Sequence, residues 1–288
     1  MANPALKTGH SLNVRPVAGA LGAEISGIDL AEPLDDRTFA AIHAALLDHL
    51  VIFFRDQRLT PEQHIAFGRR FGELHVHPYI PNLEGYPEII KLRSAEDGPG
   101  AMAYQSNQWH TDLTYSANPP LASILYGVVV PEAGGDTMWN NLYAAYENLS
   151  PQLRAFVDGL TAVHNIVISM PSDFMSQSWA PDQLKRMQEV TPPVEHPVVR
   201  THPETGRKGL FVNRNFTSHI KGLSSLESDA LLALLYAHIE QPEFAVRFHW
   251  REGSLAMWDN RCTQHYALTD YSSLRVMHRV TVCGDRPV

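Results

Sequence analysis

Asn107-Gln108-Trp109-His110-Thr111-Asp112 holds the only His-x-Asp in the 288 residues. In an extended or turn segment, residues two apart project to one side, so the His110 imidazole and the Asp112 carboxylate can grip one cation as neighbouring ligands. With 15 histidines in the chain, chance alone supplies about one such motif, and taken alone it is better explained as a solvated loop pair. The stretch Trp258 to His265 adds weight. A histidine at the end of a strand, His265, closes a set of two imidazoles and one carboxylate, the facial arrangement that leaves coordination positions open and suits non-haem Fe(II). Arg275 and Arg279 follow. Four apart on a strand they share a face and can serve two anions, although spacing alone fits a solvated strand edge as well. The rival pairs His202/Glu204 and His238/Glu240 fare worse, the first in an expected turn and the second on an expected helix where residues two apart diverge.

These groups need a scaffold. Thr60-Pro61-Glu62-Gln63 is a capping box with proline at the first helical position; it opens a helix through HIAFGRRF that stops at Gly72. Ser224 and Glu227 repeat the box ahead of Leu231, Leu232, Leu235 and Ile239, and a helix over Arg37 to Leu50 puts Phe39, Ile42, Leu46 and Leu50 on one face. Strand character marks Glu88 to Leu92, Ala122 to Val130, Thr137 to Leu142, Val198 to Thr201, Gly209 to Asn213, Phe244 to Trp250, Leu255 to Asp259 and Val276 to Val282. Thr201 to Arg207, with Pro203 and Gly206, is hairpin punctuation. Strands and helices do not alternate, which disfavours a doubly wound sheet. A mainly β fold with flanking helices is expected, a sandwich or jelly-roll barrel.

Composition narrows the function. With 44% hydrophobic and 19% charged residues, the chain reads as globular rather than disordered or coiled-coil. Its apolar run from Leu46 to Phe54 is broken by Asp48 and His49, far short of the roughly 18 residues of a membrane span. The start, MANPALKTGHSLNV, has no apolar h-region, so a cytoplasmic protein is expected. Two cysteines build no disulfide framework and no zinc knuckle. A formal charge of -8 repels phosphate backbones, so neither nucleic acid nor membrane is an expected partner.

QWHTDLTY, GGDTMW, HPVVRTHPETGRKGLFVN and WDNRCTQHYALTDY followed by RVMHRVTVCGD, together with LGAEISGIDL and FGELHVHP, resemble the taurine dioxygenase family of Fe(II)- and 2-oxoglutarate-dependent dioxygenases, in the expected order along nearly the whole chain. The resemblance implies a double-stranded β-helix (jelly roll) and one dioxygenase domain over residues 1–288. It makes His110, Asp112 and His265 the ligands of Fe(II), pairs Arg275 and the Thr137 hydroxyl with the distal carboxylate of the cosubstrate 2-oxoglutarate, and gives Arg279 the substrate anion. His77, the Leu113 amide and Phe216 would complete the substrate pocket. Cys262 matches a position that is not a ligand and reads as a small apolar residue. The chain departs from the family at Ile80 (with Tyr79 one place early), at Ser106 (with Asn107 beside it) and at Met170, all of which bear on the substrate.

The activity so implied consumes O2 and 2-oxoglutarate, releases succinate and CO2, and hydroxylates a small anionic substrate; self-association into a homo-oligomer is also expected. Taurine or another alkylsulfonate, which would collapse to an aldehyde and sulfite, stands first. Alkyl sulfate esters and then aryloxyalkanoates follow. A zinc hydrolase or a non-catalytic metal-binding protein is the alternative from another class; the two spaced arginines speak against the hydrolase, and only the intact ligand triad against the binding role.

Overall fold

Most strands near the centre of the fold are buried at nearly every position, and only a few, such as residues 161–164 and 245–248, alternate between buried and less buried side chains. The structure, a computed structural model, describes residues 12–77, 80–93, 107–170 and 172–288. Tyr79 and Ser106, two of the departures noted above, lie outside these residues. In chain order the first strands are β1 (Asn13–Pro16), β2 (Ala23–Ser26), β3 (Val51–Phe54), β4 (Asn82–Leu83), β5 (Tyr86–Arg93), β6 (Ala122–Val129), β7 (Thr137–Asn141) and β8 (Thr161–His164). They are followed by β9 (Val194–Pro197), β10 (Val199–Thr201), β11 (Lys208–Leu210), β12 (Thr217–Ile220), β13 (Ala245–Phe248), β14 (Leu255–Asp259), β15 (Thr263–Ala267) and β16 (Val276–Val282). Among the described residues the helices are α1 (Asp36–His49), α2 (Pro61–Arg69), α3 (Leu142–Glu147), α4 (Pro151–Val157), α5 (Ser172–Met175), α6 (Ala180–Val190) and α7 (Ser225–Ile239).

An eight-stranded sheet in the order β1-β2-β3-β14-β6-β16-β5-β4 packs against a three-stranded sheet in the order β13-β7-β15. Aromatic side chains fill the space between them: Phe53 stacks on Phe248 with ring centroids 4.1 Å apart, and Trp139 meets Trp258 at 5.6 Å. This is a jelly roll, as expected. A second three-stranded sheet, β12-β8-β9, and the β10-β11 hairpin flank it. The outer face of the large sheet is covered by α1 and α2, whose Ile42, Leu46, Ile65 and Phe67 pack on Ile52, Phe54, Val280 and Val282. No described helix is long and apolar enough to cross a membrane.

Both capping boxes form. Thr60 accepts from the Gln63 amide while Gln63 reaches back to the Thr60 amide, and Ser224 and Glu227 do the same for α7. The turn between Thr201 and Arg207 closes the β10-β11 hairpin, with the His202 amide donating to the Arg207 carbonyl at 2.8 Å. The strands at either side of it are shorter than expected, and Val212 and Asn213 leave the ladder.

Several elements escape the sequence pattern. Val51–Phe54 forms β3 in the middle of the sheet, fully buried on both faces, so it has no alternation to reveal it. Leu50, at φ 66, breaks the chain between α1 and β3. Strand β15 contains Thr263, Gln264 and His265, polar residues buried for their contacts rather than their hydrophobicity. Strands β1, β2, β8, β9 and β12 and helices α3 to α6 are likewise outside the expected set.

Candidate active site

Strand β15 and the segment entering the 112–116 turn meet at the open end of the roll. His110 and His265 exchange backbone hydrogen bonds of 3.0 and 2.8 Å, which fixes the two imidazoles side by side with ring centroids 4.1 Å apart. Asp112 Oδ1 lies 4.0 Å from His110 Nε2 and 3.9 Å from His265 Nε2. One ligand atom from each of the three residues lies within 4.8 Å of the others, the spacing of donors around a single ion. His110 Nδ1 donates to the Gln108 carbonyl at 2.7 Å, so the proton is on Nδ1 and the Nε2 lone pair points at the metal position. Burial lowers the pKa of His110 and of His265, keeping both neutral and ready to ligate. Burial acts to raise Asp112, but Arg279, His265 and His110 outweigh it and hold the carboxyl well below its ordinary range.

The carboxylate is oriented by residues that spacing arguments do not find. Ser123 Oγ donates to Asp112 Oδ2 at 2.7 Å and accepts from Asn260 Nδ2 at 3.0 Å, while Asn260 Oδ1 takes the Trp258 indole N–H at 3.0 Å. Serine and asparagine are too common to stand out in sequence; the only clue is that Asn260 lies within the WDNRCTQH run. Leu113 adopts φ 49, the left-handed region where a branched residue is strained. That turn is held from behind: Asn213 Nδ2 and His164 Nδ1 meet the Thr114 hydroxyl at 3.0 Å, and His196 Nε2 donates to the Thr114 carbonyl at 2.9 Å.

The two arginines are placed by different routes. Arg279 lies in β16, whereas Arg275 precedes the strand, and pairing with β6 shifts register between Val276 and Met277. The shared strand face expected from their spacing is therefore replaced by a loop approach for Arg275. A glycine turn makes room for it, with Gly135 against Arg275 and Gly134 against Asp270. Gly134 and Gly135 have φ 79 and 68, and a Cβ on Gly135 would stand 3.2 Å from Arg275 Cδ. Asp270 anchors the approach by accepting from the Gly135 amide at 2.8 Å. Asp136, which acts on Arg275 electrostatically, is itself held by Arg247 (2.6 Å) and His249 (2.8 Å). Thr137 Oγ1 accepts from the Trp250 indole at 2.9 Å, which leaves its own proton to donate.

Arg279 Nη1 donates to Asp112 Oδ1 at 3.0 Å, so the cation expected to meet a substrate anion borders the metal position directly. His77 is buried, its Nδ1 accepts from the Ile80 amide at 3.0 Å, and burial followed by the charge of Arg279 lowers its pKa to about 3. Phe216 stands 6.3 Å from the His110 ring and packs with Leu113, Tyr115, Ile166 and Met187 into an apolar wall, with Val167, Met170 and Phe174 at its edge.

The family model for "Taurine catabolism dioxygenase TauD, TfdA family" matches residues 13–281. The chain belongs to the TauD/TfdA family. This TauD/TfdA enzyme is 42% identical to an alpha-ketoglutarate-dependent sulfate ester dioxygenase of Pseudomonas putida, over all of this chain and 96% of the other. It is 41% identical to an alkylsulfatase of Acinetobacter baylyi over 96% of this chain and 86% of the other. A crystal structure of a taurine dioxygenase from Burkholderia xenovorans superposes with a TM-score of 0.81 at 44% identity, covering 96% of this chain and 93% of that one. The TauD/TfdA enzyme is a 2-oxoglutarate-dependent dioxygenase that uses Fe(II), 2-oxoglutarate and O2. The donor set fits: two neutral imidazoles and one ionised carboxylate suit a divalent ion of borderline hardness.

A second cluster in this TauD/TfdA enzyme, His202, Asp259 and Cys262, has metal-like spacing but another role. Arg261 already neutralises Asp259 with bonds of 2.9 and 2.7 Å and extends to Glu204 at 2.7 Å. His202 Nδ1 accepts the amides of Glu204 and Thr205, so its Nε2–H donates to Asp259 at 3.0 Å. The network ties the hairpin turn to the chain just before His265. Cys262 is buried and contributes a weak S–H contact to the Asp259 carbonyl at 3.8 Å, in keeping with a small apolar residue.

Proposed function

We propose that the substrate is an alkyl sulfate ester, hydroxylated on the carbon that carries the sulfate, so that the product collapses to an aldehyde and inorganic sulfate. The observation that carries this reading is the contrast between two groups of side chains beside the His110-Asp112-His265 cluster. Cationic and donor groups, Arg279 and His77, gather on one side, while the wall of Leu113, Phe216, Ile166 and Met170 offers no carboxylate. An alkyl chain gains by burial there, at about 0.8 kcal/mol per methylene. The ammonium of taurine would lose water against that wall with nothing to pair it. The order suggested by sequence, sulfonate before sulfate ester, is therefore reversed, and the similarity to a sulfate ester dioxygenase and an alkylsulfatase supports the reversal.

In this reading the whole chain acts as one dioxygenase domain. His110, Asp112 and His265 hold Fe(II), which with 2-oxoglutarate and O2 supplies an oxidant able to hydroxylate an unactivated carbon. Arg275 grips the distal carboxylate of 2-oxoglutarate in a charge-assisted fork, and the Thr137 hydroxyl donates to the same group. Arg279 holds the sulfate head beside the metal, His77 adds a ring N–H, and the Leu113 amide and Phe216 orient the first carbons. The test is product stoichiometry. Hexyl sulfate should yield hexanal, sulfate and succinate in equal amounts, and taurine should yield little sulfite. Sulfite from taurine at rates exceeding those with hexyl sulfate would overturn the assignment.

A further inference from the structure

A tetrahedral head with three terminal oxygens presents acceptors on several sides, more than the Arg279 fork, which already donates through Nη1 to Asp112, and the single His77 N–H can meet together. The neighbouring strands hold further donors. Leu74 bridges Val282 in antiparallel fashion, with the His75 amide donating to the Thr281 carbonyl at 2.9 Å and the Cys283 amide to the Glu73 carbonyl at 2.8 Å. That register sets His75 opposite Thr281, and on the other side Thr281 pairs with Ser123, the residue that orients Asp112. Side chains two apart on a strand share a face. Val280 and Val282 point outward to α2, where a Cβ on Gly68 would come within 2.8 Å of Val280 Cγ1, so Arg279 and Thr281 point into the roll. His75 and His77 also lie on one side, with rings in T-shaped contact at 5.8 Å.

Within this row, three buried polar atoms find no hydrogen-bond partner among the described residues: His75 Nδ1, Thr281 Oγ1 and Arg279 Nε. Thr281 is only 3% exposed. Unpaired buried polar atoms are costly, and three of them beside one cation describe a cradle for an anion. Resting on the sulfate ester reading, we infer that His75 and Thr281 complete the head-group subsite, donating to sulfate oxygens that Arg279 and His77 leave unpaired. A planar carboxylate can be met in a fork by one edge of the Arg279 guanidinium, so His75 and Thr281 select tetrahedral heads over planar ones.

The test uses the anaerobic Fe(II)- and 2-oxoglutarate-loaded enzyme, which binds substrate without turnover, titrated with hexyl sulfate and with hexanoate. Thr281→Val and His75→Gln should each weaken hexyl sulfate about tenfold and leave hexanoate within twofold, and Thr281→Ser should restore the wild-type affinity. Hexyl sulfate affinities within twofold of wild type in both variants overturn the inference and leave the function standing. Equal weakening of both ligands also overturns it, since that marks a structural role. A wild-type enzyme that does not bind hexyl sulfate overturns the inference together with the sulfate ester reading.

Discussion

Ser123→Ala removes one hydroxyl and tests how the metal ligand is held. Ser123 is fully buried and stands between the outer oxygen of Asp112 at 2.7 Å and Asn260 Nδ2 at 3.0 Å. The mutation has two costs. Loss of the hydrogen bond to an ionised carboxylate removes about 1.5 to 3 kcal/mol, and it frees Asp112 to rotate Oδ1 away from the two imidazoles. Leaving the buried Asn260 amide without its acceptor costs about 1 to 3 kcal/mol, but in the metal-free and metal-bound proteins alike. Only the first cost enters the metal equilibrium. Metal affinity should therefore fall by roughly ten- to a hundredfold, the usual effect of removing a group that orients a ligand. Calorimetric titration of Mn(II) into wild type and variant, with urea unfolding of the metal-free proteins alongside, separates the two. A variant that loses stability yet keeps its Mn(II) Kd within twofold of wild type would refute the orienting role.

Arg275→Ala should raise the 2-oxoglutarate concentration for half-maximal succinate formation at least a hundredfold, in line with about 3 to 5 kcal/mol for a buried charge stripped of its partner, and Thr137→Val about tenfold; unchanged 2-oxoglutarate dependence in both would place the cosubstrate elsewhere. Arg261→Met takes from buried Asp259 its cationic partner, leaving it the His202 N–H, and should lower the unfolding free energy by about 3 to 5 kcal/mol in urea melts. A loss below about 1 kcal/mol would show the network to be incidental. Burial, with the charge of His278 adding to it, lowers the pKa of His64 from 6.5 to about 3. The unfolded chain therefore takes up a proton that the folded one refuses, and His64 should cost about 1.4 kcal/mol per pH unit as pH falls from 6.5 toward 3. Denaturant melts at pH 7, 6 and 5 should show a shallower decline for His64→Leu, and parallel slopes would count against it.

The parts of the site visible in sequence are those whose chemistry restricts the residue type. In the proposed site histidine and carboxylate are the ligands and arginine the fork for a carboxylate, so His110, Asp112, His265 and Arg275 stand out once their motifs are seen together. Ser123 orients Asp112 across the sheet from a run of ordinary strand residues, and nothing in ASILYG marks its hydroxyl as pointing to a metal ligand. Helices α2 and α7 announce their starts because a capping box is a local event. Strand β3 does not, because its burial on both faces depends on partners far away in the chain. The loop route of Arg275 was hidden for a related reason: the strand period predicts its face, but the register shift before Met277 and the Gly134-Gly135 turn decide its approach.

The reciprocal backbone bonds between His110 and His265 join segments that lie more than half the chain apart. Strand β6, which carries Ser123, is flanked in the sheet by β14 and β16, both made after it. During synthesis the first metal ligands therefore leave the ribosome with neither their third partner nor the neighbours that shape the cavity, and loop closure over such distances is slow. With the proposed ligand set, a metal can be held in this geometry only by the finished chain. A nascent chain exposes His110 and Asp112 as ordinary solvated groups, and the ability to activate oxygen arises only when residues 255–282 have been threaded into place.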